Sequence, residues 1–252
     1  MTTSVILTIY NRPFFVSDVV SQSLLLPGNQ FDECVVVLDT PIPSSEEGAR
    51  AAYSRVSENT KFLKIEGKPR WKCPSKSWNL GLGAATGDIL YCIASDTIQY
   101  PGNIDRTRKL LSENPNSVIF GRVFDSTGPP YCSSTLCKPY GFIMAIPKWA
   151  IEKTGGYDEA FMGGISYEDH DFSWRLWSAG LDFVFDDGIS GMHIAHDRDY
   201  IADFNGLALK RRNAQLSICK FGAKSADESV VWWEREPMER LKSSGTTIWR
   251  HP

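Results

Sequence analysis

Short apolar, β-branched runs recur along the first half of the chain, and between them apolar residues fall at helical spacing. Residues 4–9, 34–38, 62–65, 88–94 and 118–124 read as strands, and 13–26, 45–57, 75–85 and 103–112 as helices. Pro13 fits a first helical position and Pro27-Gly28 a stop. Such alternation predicts parallel strands joined by helices. After a Gly/Pro-rich turn at 128–130 the pattern is less regular: a strand at 141–146, a helix at 148–154 and a glycine-rich loop at 155–166. A helix at 168–179 ended by Gly180, a strand at 183–185 and the segment GMHIAHDRD follow. From Tyr200 the tail reads as one long helix and a Trp-containing, mixed-charge end.

Composition narrows the classes. With 42% hydrophobic and 23% charged residues, the 252-residue chain can bury a sizeable core, in one large α/β domain or two small ones. A formal net charge of −3 excludes a strongly basic nucleic-acid binder. No apolar run approaches the ~20 residues of a membrane helix. The start, MTTSVILTIYNRP, has no basic, apolar and small-residue succession of a signal peptide, so a buried strand and a cytoplasmic location are expected. Six scattered cysteines without a C-x-x-C pair point to free thiols, with Cys132 and Cys137 the one pairing left open.

Several constellations can carry chemistry. The glycines of GLGAATG (Gly81, Gly83, Gly87) precede a strand, whereas a dinucleotide fingerprint needs them after the first strand, so hydride transfer is not expected. Asp39 and Asp96 each end a strand, where open α/β sheets place ligand contacts. Asp39 suits a base imide or ribose hydroxyl, or else caps a turn before Pro41; Asp96 is a hard oxygen ligand for Mg²⁺ or Mn²⁺, or a turn residue. His193 and His196 form an H-x-x-H pair whose imidazoles shift preference towards Mn²⁺. Glu168, Asp169 and Asp171 crowd the start of one helix; Ser166-x-x-Asp169 is a capping box, but one cap needs one acid, and the surplus suggests a general base beside a movable Gly163-Gly164 loop. Arg12 is placed to offset a diphosphate, while Lys210-Arg211-Arg212 reads as solvated surface. Trp78, Trp174, Trp177, Trp232 and Trp233 suit either sugar stacking or packing.

Together these segments resemble the GT-A glycosyltransferases of family 2 type. SVILTIYNRP is similar to the opening strand, CVVVLDT to the base-recognising strand, and SWNLGLGAATGDILYCIASDT to the stretch leading into the metal-binding D-x-D. GGYDEAFMGGISYEDHDFSWRLWSAGL with HIAHDRD resembles the C-terminal galactosyltransferase-type module.

The resemblance implies a Rossmann-like, mostly parallel sheet flanked by helices over residues 1–200, with a nucleotide-binding half (1–125), an acceptor half (126–200) and a C-terminal helical extension (201–252). It implies that Thr8, Tyr10, Arg12, Asp39, Asn79 and Ser95 line the nucleotide and that Asp96, His193 and His196 hold Mn²⁺, with Mg²⁺ as the other choice. Glu168 would orient the acceptor, and Asp169 would deprotonate its hydroxyl for inverting transfer from a nucleotide-sugar, UDP-linked by preference, to a glycan, lipid-linked sugar or protein. Ala94 replaces the first aspartate of D-x-D, and Ile165-Ser166-Tyr167 stands where the module has Trp-Gly-Gly. A catalytically silent sugar- or nucleotide-binding module, a retaining transferase and a nucleotidyltransferase are the alternatives.

Overall fold

β1 (Thr3–Ile9) sends Val5, Leu7 and Ile9 to one face and Ile6 to the other, all fully buried, so this strand is covered on both sides. The computed structural model describes residues 1–67, 73–125, 128–195, 204–222 and 239–251. α1 (Phe14–Ser23) leads to β2 (Glu33–Asp39), α2 (Pro43–Tyr53) to β3 (Thr60–Ile65), and α3 (Ser75–Ala84) to β4 (Ile89–Ala94). β2 pairs with β1, β3 with β2, and β4 returns to the other side of β1, every pair parallel.

The second half extends the same sheet. β5 (Thr97–Gln99), α4 (Asn103–Glu113), β6 (Ser117–Asp125), β7 (Pro130–Cys132), β8 (Ile143–Pro147), α5 (Lys148–Thr154), a 3₁₀ turn (Glu159–Gly163), α6 (Glu168–Ser178) and β9 (Asp182–His193) follow in order. α7 (Phe204–Phe221) and a hairpin of β10 (Glu239–Ser243) and β11 (Thr246–Arg250) come last. The strand order is β10-β11-β9-β6-β8-β4-β1-β2-β3. β8 is antiparallel to both its neighbours, so β6 and β9 run in the direction of β1 to β4 and the central sheet is mostly parallel.

Two apolar layers sandwich it. Val20 of α1 and Leu24 just after it, Ala52 and Tyr53 of α2 and Ile104 and Leu111 of α4 pack on the face of Val5 and Leu7. Trp78 and Leu82 of α3, Ala150 of α5 and Phe172, Leu176 and Trp177 of α6 cover the other. Gly81 belongs to this packing: a Cβ there would stand 2.7 Å from Ile6 Cγ2, so the glycine lets α3 approach the sheet. Of the GLGAATG glycines, Gly81 thus serves helix–sheet contact, Gly87 lies against the start of β1, and a Cβ on Gly83 would meet open space. All six cysteines are free thiols.

Three features depart from the sequence reading. β9 is 12 residues long, not three. Its polar middle reads as a loop locally, yet Asp186 is buried and held by Arg106 (Nε–Oδ1 2.5 Å, Nη2–Oδ2 2.8 Å), and the register with β6 shifts there. The tail is not wholly helical, because β11 pairs antiparallel with β9 and joins the main sheet. Trp249 is buried in that hairpin under Arg240, and His251 stacks on Trp177 at 3.8 Å, contacts too distant in sequence to leave a local signature. Ser166 does not cap α6; Tyr167 occupies the cap position and its side chain makes no cap hydrogen bond.

Candidate active site

Because the chain leaves β1 towards β2 and returns at β4 on the opposite side, the strand order reverses between β1 and β4. Crevices outside the carboxyl ends of strands at such a point are where open α/β sheets bind ligands. Thr8 sits near the end of β1, level with Val37 and Ala94; Tyr10 beyond it is exposed, and Ser95 beyond β4 is buried. Arg12, past the end of β1, forms an ion pair with Asp96, past the end of β4.

Asp96 also faces β9. His193 Nε2 lies 3.7 Å from Asp96 Oδ2, and the two residues are only 3% and 5% exposed. The approach is fixed by backbone: Thr97 is in register with His193, and the Ile194 amide donates to the Asp96 carbonyl at 2.7 Å. On its other side His193 Nδ1 is 2.8 Å from Asp125 Oδ1, and the Tyr131 hydroxyl donates to Asp125 Oδ2. The rings of Tyr131 and Phe142 stand edge-on to the imidazole, each 5.5 Å away. Asp125, Tyr131 and Phe142 carry no motif, and only the sheet register brings them here.

Asp96 and His193 fit a divalent ion as a donor pair. Two ligand atoms each about 2.1 Å from one ion lie at most about 4.2 Å apart, which the observed spacing satisfies, and one oxygen with one imidazole is the donor set that suits Mn²⁺. Among the described residues no group of three His, Cys, Asp or Glu side chains is placed to hold a metal; His196 lies outside the described residues, as do Trp232 and Trp233.

Asp39 ends β2, 4% exposed, and accepts from the hydroxyls of Ser77 on α3 and, at 3.4 Å, Thr40. Two side-chain hydroxyls therefore anchor it. Asn79, expected at the nucleotide, is engaged by the loop after α5. Its Oδ1 accepts from the Tyr157 amide at 2.6 Å, while Nδ2 donates to Tyr157 O and Glu159 Oε1 at 2.9 and 3.0 Å, so its amide is committed to the loop after α5.

Glu168 and Asp169 open α6 immediately after two residues in the left-handed region, Ser166 (φ 63°) and Tyr167 (φ 73°), a conformation rare for residues with a Cβ. This strained turn is clamped from three sides. Asn213 of α7 donates to the carbonyls of Phe161 and Ser166 at 2.9 Å each, the Ile165 amide donates to Leu209 O at 3.3 Å, and Cys73 Sγ approaches Gly164 O at 3.4 Å and Glu168 Oε2 at 3.2 Å. Burial pushes the Glu168 carboxyl up, partly offset by its backbone amide and the Cys73 thiol. Burial and the neighbouring Glu168 charge push Asp169 up to about 8, against the backbone amide of Gly141 and the Tyr157 hydroxyl 3.4 Å away. Asp171, the third acid, points elsewhere and is spent on Arg175 and Lys220.

The two clusters meet through Gly141 and Phe142. The Gly141 amide binds Asp169, the Phe142 carbonyl accepts from the Ala94 amide at 3.0 Å, and the Phe142 ring packs on His193. The acid pair is thereby tied to the strand end that carries Asp96.

The glycosyl transferase family 2 model matches residues 4–147, more than half of the chain and all of the strands from β1 to β8. The chain belongs to glycosyl transferase family 2. Solved structures share its GT-A fold: S. aureus TarS (TM-score 0.64, 16% identity, 86% of this chain and 40% of that one) and mannosyltransferase PcManGT from Pyrobaculum calidifontis, in complex with GDP-Man and Mn²⁺ (0.61, 16%, 85% and 61%). GalNAc-T7 with UDP, GalNAc and Mn²⁺ is similar as well (0.67, 13%, 86% and 48%). This family 2 chain spans 40% to 61% of the length of those three. Among curated proteins none matches in sequence. No helix among the described residues is long and apolar enough to cross a membrane.

Proposed function

We propose that the protein transfers a sugar from a nucleotide-sugar donor, UDP-linked by preference, to an acceptor hydroxyl on a glycan, lipid-linked sugar or protein, with inversion at the anomeric carbon. The reading rests on one observation: a basic and metal-competent cluster (Arg12, Asp96, His193) at the point where strand order reverses, tied through Gly141-Phe142 to a carboxylate of raised pKa.

Asp39 holds the nucleoside and Arg12 lies along the diphosphate, where its guanidinium offsets the charge that grows on the leaving group. Asp96 and His193 would hold Mn²⁺, with His196 as the third ligand expected from the sequence. When bound, such an ion supplies further charge stabilisation at the diphosphate. Asp169, ionised, accepts the acceptor hydroxyl proton as the oxygen attacks the face of the sugar opposite the diphosphate. Its raised pKa makes it a stronger base than an exposed carboxylate. Glu168 orients that hydroxyl. TarS has been crystallised with UDP-GlcNAc and with UDP, and PcManGT and GalNAc-T7 with Mn²⁺, which supports a nucleotide-sugar and a divalent ion for this chain too.

The test is release of free nucleoside diphosphate from UDP-, GDP- and dTDP-sugars with Mn²⁺, with Mg²⁺ and with chelator, alongside donor binding on the same samples. Metal-dependent release from one donor, lost in Asp96→Asn, is expected. Absence of both release and donor binding would sink the proposal; donor binding without turnover in the presence of a range of acceptors would favour a silent binding module, the reading that Ala94 supports.

A further inference from the structure

We infer that Asp125 is a positioning residue: it fixes the tautomer and ring plane of His193 so that Nε2 presents a lone pair beside Asp96. The inference rests on the metal-site reading above and adds to it a residue outside every motif in the chain.

Three observations carry it. First, the register of β6 and β9 sets Asp125 directly beside His193, so the 2.8 Å contact from Nδ1 to Oδ1 is built into the sheet rather than into a side chain's choice of rotamer. Second, a carboxylate can only accept, which assigns a hydrogen to Nδ1 and, in the neutral imidazole, leaves Nε2 as an acceptor. Third, the second Asp125 oxygen accepts from the Tyr131 hydroxyl, and the rings of Tyr131 and Phe142 flank the imidazole, so both carboxylate and ring are held in this arrangement.

The consequence is electrostatic. With Nε2 unprotonated, two acceptors, Nε2 and Asp96 Oδ2, face each other across 3.7 Å in a buried site. Arg12 answers Asp96. A cation between them would bridge both acceptors, and a carboxylate behind a ligating histidine raises the basicity of the metal-facing nitrogen. Without Asp125 the hydrogen can settle on Nε2 and block that position.

The experiment uses the full chain, with Mn²⁺ as the probe. Mn²⁺ affinity is read by electron paramagnetic resonance, and the His193 tautomer by ¹⁵N chemical shifts in metal-free protein, for the parent and for Asp125→Ala, Asp125→Asn, His193→Ala and Asp96→Asn. Expected are an Nδ1–H tautomer in the parent, its loss in Asp125→Ala, and about a 10- to 100-fold weaker Mn²⁺ affinity there, the range typical of a lost carboxylate behind a metal ligand. Asp125→Asn keeps the shape and an accepting oxygen, should retain the tautomer and lie between; it serves alone if the alanine variant does not fold. Parent-like Mn²⁺ affinity in both Asp125 variants, with Asp96→Asn and His193→Ala impaired, overturns this inference and leaves the metal site standing. Parent-like affinity in Asp96→Asn and His193→Ala removes the metal site itself. An imidazolium in the parent, protonated on both nitrogens, also overturns the inference, since His193 would then be a cation between two aspartates.

Discussion

Arg12 and Asp96 form an ion pair across the point where the strand order reverses, one residue following β1 and the other β4. The pair joins a group expected at the diphosphate to a group expected at the metal, so the two functions compete for one carboxylate oxygen. Arg12→Ala should therefore separate them. Donor affinity should fall by about 10- to 150-fold, the range expected for one charge-assisted hydrogen bond worth roughly 1.5–3 kcal/mol. Mn²⁺ affinity should hold or rise, because a competing cation has gone. Calorimetric titration with nucleoside diphosphate and with Mn²⁺ checks both, and a parallel loss of the two would contradict this division.

In the proposed mechanism Asp169 would set the pH dependence of transfer. Only its ionised form accepts a proton, so the turnover rate should climb with pH to a plateau, with an apparent pKa near 8 that belongs to the Glu168–Asp169 pair. Asp169→Asn should lower turnover by about 10²- to 10⁴-fold, the usual contribution of a general base, with donor affinity little changed. A rate profile flat from pH 6 to 9, to within about a factor of two, would argue against this assignment.

The same group makes folding stability pH-dependent with a definite sign. Its pKa is raised on folding, so between the unfolded value of about 4 and the folded value of about 8 the native state holds more protons than the unfolded chain. Its ionisation therefore costs stability progressively as pH rises through that window, and the contribution is constant outside it. Thermal melts of the parent and Asp169→Asn should diverge from pH 5 to pH 8, the asparagine variant gaining relative to the parent.

α7 earns its place through Asn213, fully buried on the turn that presents the acid pair. Asn213→Ala removes two hydrogen bonds to buried carbonyls and should cost about 1–3 kcal/mol. Transfer should suffer beyond that loss while donor binding holds, because the turn with two left-handed residues is what α7 restrains. Chemical denaturation, and turnover measured well below the melting temperature, distinguish the two effects.

Asp186 tests the middle of β9. Burial pushes its carboxyl up, but Arg106, Thr246 Oγ1 at 2.6 Å and the Gly188 amide at 2.9 Å more than offset this and hold it below the usual range. Asp186→Ala leaves the Thr246 hydroxyl and the Gly188 and Ile189 amides without that acceptor, while Arg106, 41% exposed, turns to solvent, and should cost about 1–3 kcal/mol, read from urea unfolding. Because the pKa is lowered, the parent's contribution is complete above about pH 4 and fades as pH falls further.

Alternating apolar runs and helical spacings were enough to place β1, β2, β4 and α1 to α4 within a few residues, because each buries a face that its own sequence must supply. The same holds for Asp39, Asp96, Glu168 and Asp169, which stand at the ends of elements that the periodicity marks. His193 was legible as half of an H-x-x-H pair. Asp125, Tyr131 and Phe142 were not, since they reach His193 only through the pairing of β6 with β9 and β7.

Asn79 shows what local pattern leaves out: its position in a family-like stretch suggested the nucleotide, and its contacts with Tyr157 and Glu159 came from the tertiary structure. The β10–β11 hairpin was equally hidden, its strands too short and too polar on one face to stand out until β9 offers an edge to pair with. By itself the sequence determined the α/β class, the parallel half of the sheet and the carboxylates at its strand ends, because those follow from local periodicity and from residue chemistry. The tertiary structure alone decided which of those groups touch, since hydrogen bonds between strands and the docking of α7 depend on partners far away in the chain.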